Sequence, residues 1–584
     1  MDAHKKNATI GTMVLLNLIN FGLVGFWSFD GAVMLPFLQT QFGIGNAVGG
    51  YIVGIGKLMI ALSFFFGVFS DKTVSRMGKR RPLMLLGGLI SAPLIALIPH
   101  MTNIWALVAA LTVCYFGIQF AAVPYFSLVP EVIPNEKLGT ANAFFSAFGG
   151  IGTLLAYAVL FSIIYTSNKF LAFYVLAAVH LGCTLATVFS IKEFVPDKLP
   201  EPESRFKAMA MSLVDVARDL PKYRDLTIFL ISNLFFWLGL GVFVQFFTKF
   251  MEFYANIPNE PAGYVLGAIV IVSVILAVPV GIIGDKISRK HMVFAGMLTM
   301  FAALVIAYFV IGPKSSVSNL DLGSPEVVAS LAQQQKVDVS GADFSPFVKD
   351  QFVMDASGKK KDINEDGLPD KKSEAMRWCL NGGLDEKGCG AAVSAVMGAD
   401  NPARENTLKA MLALNKHVTS ETKGVIKIAF GVISFAAIGM TICVVIMATI
   451  LPTLMPESKM GLYMGFYSTV TGLGQFLSVV IAGTIIQKTL TAGNEALGYR
   501  WMFIQGAVCM LIAAIVVISV PYIPKANEPT ITELEKQGEE LARQLDKAQQ
   551  PGKGGGKKSG GARPPQSKGK GSGKNKGGKK KKKK

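Results

Sequence analysis

Two ionisable side chains, Asp30 and Lys57, interrupt long apolar stretches of the sequence. A charge inside an apolar segment of membrane length is costly, and residues of this kind are functional candidates. On neighbouring antiparallel helices the carboxylate and the ammonium could pair, although their depths differ by about 10 Å. A proton on the carboxylate would break the pair, which would make a proton-coupling device. The alternative is a lysine that extends to the interface and an aspartate that faces an outer vestibule.

Other polar and aromatic side chains within apolar segments could hold the hydroxyl groups of a solute, and hydrogen bonding between helices is the alternative role for each. They are Gln119, Tyr125, Asn142, Asn233, Gln245 and Gln475. Glu131, where the fourth apolar segment ends, is either a second coupling site or an interfacial acid. Lys249 and Glu252 lie near the end of the seventh segment, where both side chains could simply be exposed to water.

The elements that must position these residues are apolar helices. The chain has 584 residues, of which 51% are hydrophobic and 16% charged, with a formal charge of +18. Soluble proteins contain about 25% charged residues. Thirteen Lys and Arg563 lie in residues 551–584 without any acid, so the remaining chain carries 43 bases against 39 acids. The body is therefore not a basic nucleic-acid-binding globule, and its composition is that of a polytopic membrane protein.

Twelve apolar segments are each long enough to cross a hydrocarbon core of about 30 Å. They are 10–36, 44–69, 82–100, 104–130, 138–164, 170–191, 226–251, 262–284, 291–312, 424–451, 461–487 and 501–523. The loops at 71–81, 131–138, 192–225, 285–290 and 452–460 hold 17 Lys and Arg, whereas the short loops on the other side hold three. The positive-inside rule then places both termini in the cytoplasm. We expect an integral multi-pass protein of a plasma membrane or a bacterial inner membrane.

A weak internal repeat relates two halves of the chain. Gly67-Val-Phe-Ser-Asp71 follows the second segment and Gly281-Ile-Ile-Gly-Asp285 follows the eighth. The second half is longer by the polar stretch between the ninth and tenth segments. We therefore expect an N-terminal six-helix half (1–192), a cytoplasmic central loop (193–225), helices seven to nine (226–312), an extracytoplasmic insertion (313–423), helices ten to twelve (424–523), a cytoplasmic amphipathic helix (524–550) and a disordered Lys/Gly-rich tail (551–584). Parallel halves are typical of transporters, with the substrate between them.

The insertion contains two features with possible binding or cross-linking chemistry. Cys379 and Cys389 are the two cysteines outside the apolar segments, and an oxidising compartment would favour a disulfide between them. A stretch of alternating oxygen ligands matches the first nine positions of a calcium loop. These ligands are Asp362, Asn364, Asp366 and Asp370. The acid expected at the twelfth position is replaced by Ser373, so a calcium site and a solvated acidic turn both remain open.

The loop after the second segment has a patterned charge cluster that predicts a gate between the two halves. Its glycines permit close approach, and its acid lies at a helix end within reach of cations. The residues are Gly67, Asp71, Arg76, Gly78, Lys79, Arg80 and Arg81, with Asp285 and Arg289 as the repeat.

This loop resembles the inter-helix motif of the major facilitator superfamily, and its closing Arg-Arg-Pro resembles the glycoside–pentoside–hexuronide:cation symporter family, including sucrose–proton symporters. Trp27…Pro36, Pro124…Glu131 and Thr140-Ala-Asn142 are similar to further stretches of that family. The resemblance implies an all-α membrane fold of two six-helix halves, alternating access, and sugar uptake driven by protons or sodium. It adds Trp27 to the predicted substrate-binding residues.

Two departures from the family pattern bear on the coupling ion and the substrate. Lys57 lies on the helix where sodium–melibiose-type members carry paired aspartates, which disfavours sodium, and Asp30 replaces a glutamine of the sucrose symporters. We expect a proton-coupled sugar or glycoside symporter without a cofactor for transport. A lysolipid or other amphiphile carrier and a non-transporting receptor or scaffold are the alternatives. The sequence contains no Walker loop, no zinc-ligand spacing and no Gly-x-Ser-x-Gly motif, so we do not expect an enzyme.

The expected partners follow from this hypothesis and from the tail. They are a small-molecule substrate, a coupling proton and the lipid bilayer. The basic tail would bind anionic lipid or, as the second choice, RNA or the ribosome. We expect a monomer.

Overall fold

The structure is a computed structural model. It describes residues 9–193 and 220–523, apart from gaps at 72, 74, 134–137, 312–316, 350, 356, 364–368, 455–459, 492–494 and 522. Outside these ranges it also describes the isolated positions 214, 218 and 541. The chain separates into units of residues 1–532 and 533–584. Most of the predicted central loop and amphipathic helix, and all of the predicted tail, lie outside the described residues. The fold below is that of the first unit.

Twelve helices are long and apolar enough to cross a membrane, which confirms the predicted number. In the first half they are α1 (Ile10–Phe42), α2 (Asn46–Ala61 and Ser63–Asp71), α3 (Arg81–Leu97), α4 (Ile104–Val132), α5 (Leu138–Leu154, continued by Leu155–Tyr165) and α6 (Lys169–Ser190). In the second half they are α7 (Arg224–Lys249, continued by Phe250–Tyr254), α8 (Asn259–Lys286), α9 (Arg289–Val310), α13 (Arg404–Ile450), α14 (Met460–Thr491) and α15 (Glu495–Ile518). Extended pairing within the described chain is limited to two isolated bridges.

The helix ends follow local sequence chemistry. Thr9 forms a capping box with Thr12, and the Asn103 side chain accepts hydrogen bonds from the first amides of α4. Such side chains satisfy the unpaired amides of a first turn. Gly43, with a φ of 67°, ends α1 in the left-handed conformation that glycine adopts without strain.

The two halves repeat the same close helix contact. In the first half, a Cβ atom on Gly87 of α3 would lie 2.5 Å from the Gly117 carbonyl oxygen of α4. In the second half, a Cβ atom on Gly439 of α13 would lie 2.5 Å from the Gly296 carbonyl oxygen of α9. Small residues permit this backbone approach in membranes, where packing rather than the hydrophobic effect holds helices together. The corresponding helix pairs therefore pack alike in the two halves.

The halves meet along α2 and α14, along α5 and α8, and between α1 and α7. In the last pair the contact involves a π-helical segment of α1, Asp30–Met34. A Cβ atom on Gly31 would lie 2.8 Å from the Val244 side chain of α7. We call the side of the membrane helices where α9 ends and α13 begins the insertion side. The contact between α1 and α7 lies toward this side.

Between α9 and α13 the chain forms three short helices, α10 (Pro325–Gln334), α11 (Lys372–Asn381) and α12 (Glu386–Met397). They enclose a hydrophobic cluster separate from that of the membrane helices. We call residues 317–403 the insertion. The predicted boundary at 423/424 differs from the structure, because α13 already begins at Arg404.

The early part of α13 belongs to both regions. Its 47 residues span about 70 Å at ~1.5 Å per residue, more than twice a hydrocarbon core of ~30 Å. Its first turns carry buried residues at helical spacing against the insertion, namely Thr407, Ala410, Met411, Leu414 and Val418. The Asn415 side chain also donates a hydrogen bond to the Cys379 carbonyl oxygen at 2.6 Å. The insertion is therefore packed on a rigid extension of a membrane helix.

Candidate functional site

Asp30 and Lys57 meet in the interior of the first half. The Lys57 Nζ atom lies 3.1 Å from Asp30 Oδ2, and the residues are only 3% and 1% exposed. Asp30 opens the π-helical segment of α1, and Lys57 lies on the facing side of α2. The long lysine side chain spans the predicted difference in depth. An extended lysine with a separate, vestibule-facing aspartate is not the arrangement found.

Aromatic side chains complete this cluster. The Tyr115 hydroxyl of α4 donates a hydrogen bond to Asp30 Oδ1. The Trp27 ring stacks on the Tyr115 ring with centroids 5.7 Å apart, and Lys57 Nζ lies 4.6 Å from the Trp27 centroid. A Cβ atom on Gly56 would lie 2.7 Å from the Tyr115 ring, so glycine makes the space for this ring. The sequence analysis did not identify Tyr115, although a phenol group inside an apolar segment could have indicated it.

The second half contacts the backbone of the same segment. Gln245 Nε2 of α7 donates to the Asp30 carbonyl oxygen at 3.3 Å, and Thr248 Oγ1 donates to the Ala32 carbonyl oxygen at 3.2 Å. Backbone groups in a π-helical segment depart from the regular α-helical ladder, and such segments are frequent at functional sites. Gln245 Oε1 is buried without a partner among the described residues. The ion pair thus adjoins both the interface between the halves and an unused hydrogen-bond acceptor.

The other predicted substrate residues are more dispersed. Tyr125 donates to Asn17 Oδ1 at 2.7 Å, and Asn233 donates to Thr471 Oγ1 at 3.0 Å, which is the helix-bridging role. Gln119 is buried, and Gln475 lies at the contact of α14 with Gly241 of α7. The side chains of Asn142 and Glu131 lie outside the described residues.

The predicted gating loop is organised by an acid that sequence reasoning missed. Glu193, after α6, accepts hydrogen bonds from the amides of Lys79 at 2.6 Å, Arg80 at 2.9 Å and Arg81 at 3.3 Å. A carboxylate at the start of α3 satisfies its unpaired amides and complements the helix dipole. Gly78, with a φ of 105°, leaves room for this carboxylate, because a Cβ atom there would collide with it.

The arginine side chains of this loop also bind within the first half. Arg80 donates to Ser70 Oγ at 2.7 Å, and Arg81 donates to the Val188 carbonyl oxygen at 2.6 Å. Gly67 faces Val123 of α4, and Arg76 is exposed. The side chains of Asp71 and Asp285 lie outside the described residues, and Arg289 begins α9. A latch between the halves therefore stays a prediction.

In the insertion, the structure joins Cys379 to Cys389, whose Cα atoms are 5.2 Å apart. Of the predicted calcium ligands, Asp362 and Asp370 are described, whereas Asn364 and Asp366 lie outside the described residues. Asp370 Oδ2 accepts a hydrogen bond from the Ile363 amide. The calcium site stays a prediction.

The interpretation of Lys249 and Glu252 as solvated residues was wrong. Lys249 is 2% exposed and lies 2.9 Å from Glu252 Oε2. Two cations contact the Phe253 ring, with Lys249 Nζ at 4.5 Å and Arg377 Cζ of the insertion at 4.2 Å from its centroid. The insertion covers the end of α7 and removes these side chains from water.

Comparisons with known proteins agree with the twelve-helix architecture. A family model described as "MFS/sugar transport protein" matches residues 15–329, and one described as "Major Facilitator Superfamily" matches residues 418–565. Among solved structures, a D-xylose–proton symporter covers 90% of this chain and 100% of its own, with a TM-score of 0.52 and 12% identity. A proton-dependent oligopeptide transporter covers 88% of this chain and 98% of its own, with a TM-score of 0.54 and 12% identity. At these identities the likeness is one of fold.

Curated relatives match parts of the chain. An uncharacterized symporter of Synechocystis is 34% identical over 148 residues, which is 22% of this chain and 26% of the symporter. A sucrose transport protein of Arabidopsis thaliana is 24% identical over 180 residues, which is 27% of this chain and 30% of the relative. The chain thus matches less than a third of the length of either. An uncharacterized MFS-type transporter of Methanocaldococcus jannaschii is 24% identical over 310 residues, 50% of this chain and 73% of the relative.

Proposed function

The chain belongs to the MFS/sugar transport protein family, whose model matches more than half of its sequence, and on this premise we propose that it is a proton-coupled symporter of a sugar or glycoside. It is a membrane transporter of the major facilitator type and not an enzyme. We place the termini in the cytoplasm because the lysine and arginine excess lies in the loops on their side.

The observation that carries the proposal is the buried Asp30–Lys57 pair. A paired carboxylate and ammonium are tolerated inside a membrane protein because each offsets the charge of the other. A proton bound to Asp30 would remove the carboxylate charge, and Lys57 would be left as a buried cation. That state would be relieved by rearrangement of α1 against α2 or by a substrate with hydroxyl or acceptor oxygens. Proton binding and substrate binding would then favour the same conformation.

The substrate would lie beside this pair. Trp27, which is partly buried and stacks on the fully buried Tyr115 ring, offers an aromatic ring for the apolar face of a pyranose or furanose. The free Gln245 Oε1 could accept a hydrogen bond from a sugar hydroxyl, and it belongs to the other half. A substrate held by both halves would be exposed to either side as they rock about it. The sucrose transport protein among the relatives supports a carbohydrate.

The test is uptake of labelled sucrose, xylose and glucose into proteoliposomes with an imposed pH gradient. We expect one of these sugars, or a glycoside related to it, to accumulate with the gradient and to stop when a protonophore removes it. Asp30→Asn should abolish accumulation but retain exchange of labelled for unlabelled sugar at equal pH. Asp400→Asn, an exposed aspartate between α12 and α13, is the matched control and should transport normally.

Three results would overturn parts of this proposal. Accumulation by Asp30→Asn at the normal level would remove Asp30 from coupling. Accumulation driven by a sodium gradient and not by a pH gradient would mean that sodium, rather than the proton, is the coupling ion. Uptake of lysolipid without uptake of sugar would identify an amphiphile carrier instead.

A further inference from the structure

The insertion is attached to the second half by buried hydrogen bonds. Just after α7, the buried Asn256 side chain donates to the Val317 carbonyl oxygen at 2.6 Å and to the Leu320 carbonyl oxygen at 3.1 Å. The Asn319 amide donates to the Tyr254 carbonyl oxygen at 2.7 Å. At its other end the insertion continues directly into α13. The insertion and the second half should therefore move together.

The insertion reaches the first half through charged side chains at the start of α11. Glu374 accepts a hydrogen bond from the Lys371 amide at 3.0 Å, and its carboxylate interacts electrostatically with Lys169, which begins α6. Lys371 lies where α1 ends, since a Cβ atom on Gly43 would be 3.7 Å from Lys371 Nζ. The carbonyl end of a helix carries partial negative charge and attracts a cation. These two residues thus connect the insertion to two different helices of the first half.

The charge of Glu374 depends on nearby cations. Burial raises the pKa of Glu374 and Glu252 of α7 raises it further, whereas Lys169 and Lys371 lower it. Lys169 is itself only 5% exposed. A buried charge costs free energy unless an opposite charge compensates it. Loss of Lys169 would therefore disfavour the arrangement seen here, but not one in which water reaches Glu374.

The contact with the first half is incompletely packed. A cavity of about 340 Å³ lies between the insertion, the end of α1, and α7, α14 and α15. Gln39 and Thr40 line this cavity from the first half, but they hydrogen-bond within that half, to Asn46 and to the Pro36 carbonyl oxygen. The contact here is thus mainly one of charges around a cavity. It can separate without exposing an apolar core, unlike the attachment to the second half.

The membrane helices of the two halves also meet on the insertion side. Thr248 of α7 is 2% exposed and donates to the Ala32 carbonyl oxygen of α1 at 3.2 Å. The Asn46 amide of α2 donates to Gln487 Oε1 of α14 at 2.7 Å. A transporter that alternates between two sides must separate such contacts to open here. Because the insertion moves with the second half, the same movement must break its charged contacts with α1 and α6.

We propose that the insertion is a strap that holds the insertion side closed and is released when that side opens. Its fixed attachment is the second half, and its releasable attachment is the contact of Lys371 and Glu374 with α1 and α6. The strap makes opening on this side less favourable and so restrains access from it. The proposal requires movement of the two halves but no particular substrate, so it does not depend on sugar symport.

The experiment measures how fast a polar maleimide labels Thr248→Cys in the purified full-length protein. Thr248 lies at the closed contact of α1 and α7, so this reporter reacts when the insertion side opens. The labelling rate of the protein without the reporter is subtracted. Lys169→Met and Lys371→Met, each combined with the reporter, should raise the rate by roughly two- to fivefold, as for one charge contact. Lys371 is half-buried, so its variant tests the strap even if Lys169→Met does not fold.

A second variant separates the charge contact from other effects of Lys169. Lys169→Met combined with Glu374→Gln should bring the labelling rate most of the way back, because no poorly compensated carboxylate remains. If the added Glu374→Gln does not reduce the rate, the restraint comes from another contact of Lys169, and Glu374 is not part of the strap.

Lys349→Met is the matched control. Lys349 also belongs to the insertion and lines the cavity, but it pairs with Asp321 of the insertion at 3.0 Å. It should leave the labelling rate unchanged. Equal acceleration by this control would mean that loss of positive charge, and not release of the first half, opens the protein. Unchanged rates in both Lys169→Met and Lys371→Met would overturn the strap.

Discussion

Two buried ion pairs of this protein differ in what they connect. Asp30 and Lys57 come from different helices, and their side chains are 0% and 4% exposed. Lys249 and Glu252 lie three residues apart near the end of α7, with side chains 2% and 12% exposed beside a charged cavity. The first pair fixes the relation of α1 to α2, whereas the second is local to one helix. A change of protonation can therefore act on helix packing only at the first pair.

The surroundings of the pairs sharpen this contrast. The Asp30 pair is enclosed by the Tyr115 and Trp27 rings, so a charge left alone there has no other ion among its described contacts. Near Lys249 and Glu252 lie Glu374, Arg377 and Lys371, so a charge left alone there still has other charged groups close by. Substitutions should consequently cost more at the first pair than at the second.

The largest effect is expected for Asp30→Asn. It leaves Lys57 uncompensated in the membrane interior and should lower the free energy of unfolding by about 3–5 kcal/mol. The measurement is SDS titration in mixed micelles. Asp30→Asn combined with Lys57→Met should recover most of the stability without recovering proton-driven uptake. If the double variant is as unstable as the single one, the cost does not come from an unpaired charge.

Tyr115→Phe should have the next largest effect. It removes one hydrogen bond to a charged acceptor, with an expected loss of about 1.5–3 kcal/mol. Proton-driven accumulation should also weaken relative to exchange at equal pH, since Asp30 would lose the hydroxyl that donates to it beside Lys57. Trp27→Phe retains an aromatic ring beside Lys57 and should leave this ratio unchanged. An unaltered ratio in Tyr115→Phe would separate the phenol from coupling.

Lys249→Met is expected to cost less, about 1–2 kcal/mol by the same SDS titration. Glu252 would be left without its partner, but its side chain is partly accessible and other cations lie nearby. Proton-driven uptake should continue. A loss as large as that of Asp30→Asn would show that the two pairs are equally isolated and would contradict the comparison.

Lys409→Ala should have the smallest effect. The Lys409–Glu405 pair spans one turn of α13, with side chains 69% and 73% exposed. Exposed pairs gain little because water already solvates both charges. Thermal unfolding of this variant in detergent should match that of the unaltered protein. A clear drop in the midpoint temperature of unfolding would mean that side-chain exposure does not predict how much an ion pair contributes to stability.

Much of the architecture was predictable because hydropathy is a local property. Twelve apolar segments follow from stretches of the chain that need no knowledge of their neighbours. The early start of α13 was missed, because residues 404–423 are amphipathic rather than uniformly apolar. Their buried positions face the hydrophobic cluster of the insertion and not lipid.

The site was only partly predictable. Asp30 and Lys57 were identified because charge is rare in apolar segments, but the sequence could not say that they touch. Tyr115 and Glu193 were missed because a tyrosine in a span and an acid in a loop are ordinary in isolation. Their roles depend on partners 85 and 114 positions away.

By itself, the sequence determined the number of membrane helices, the two related halves and the residues too costly to bury without a partner. Tertiary structure alone decided the partners. Glycine contacts set how near the helices approach, and Gly56 places Tyr115 against Asp30. Because the insertion packs on α7, Lys249 is buried, although its position in the sequence predicted a solvated residue. The physical reason is that hydropathy is a sum over neighbouring residues, whereas electrostatic pairing depends on distances of a few ångströms that helix packing sets.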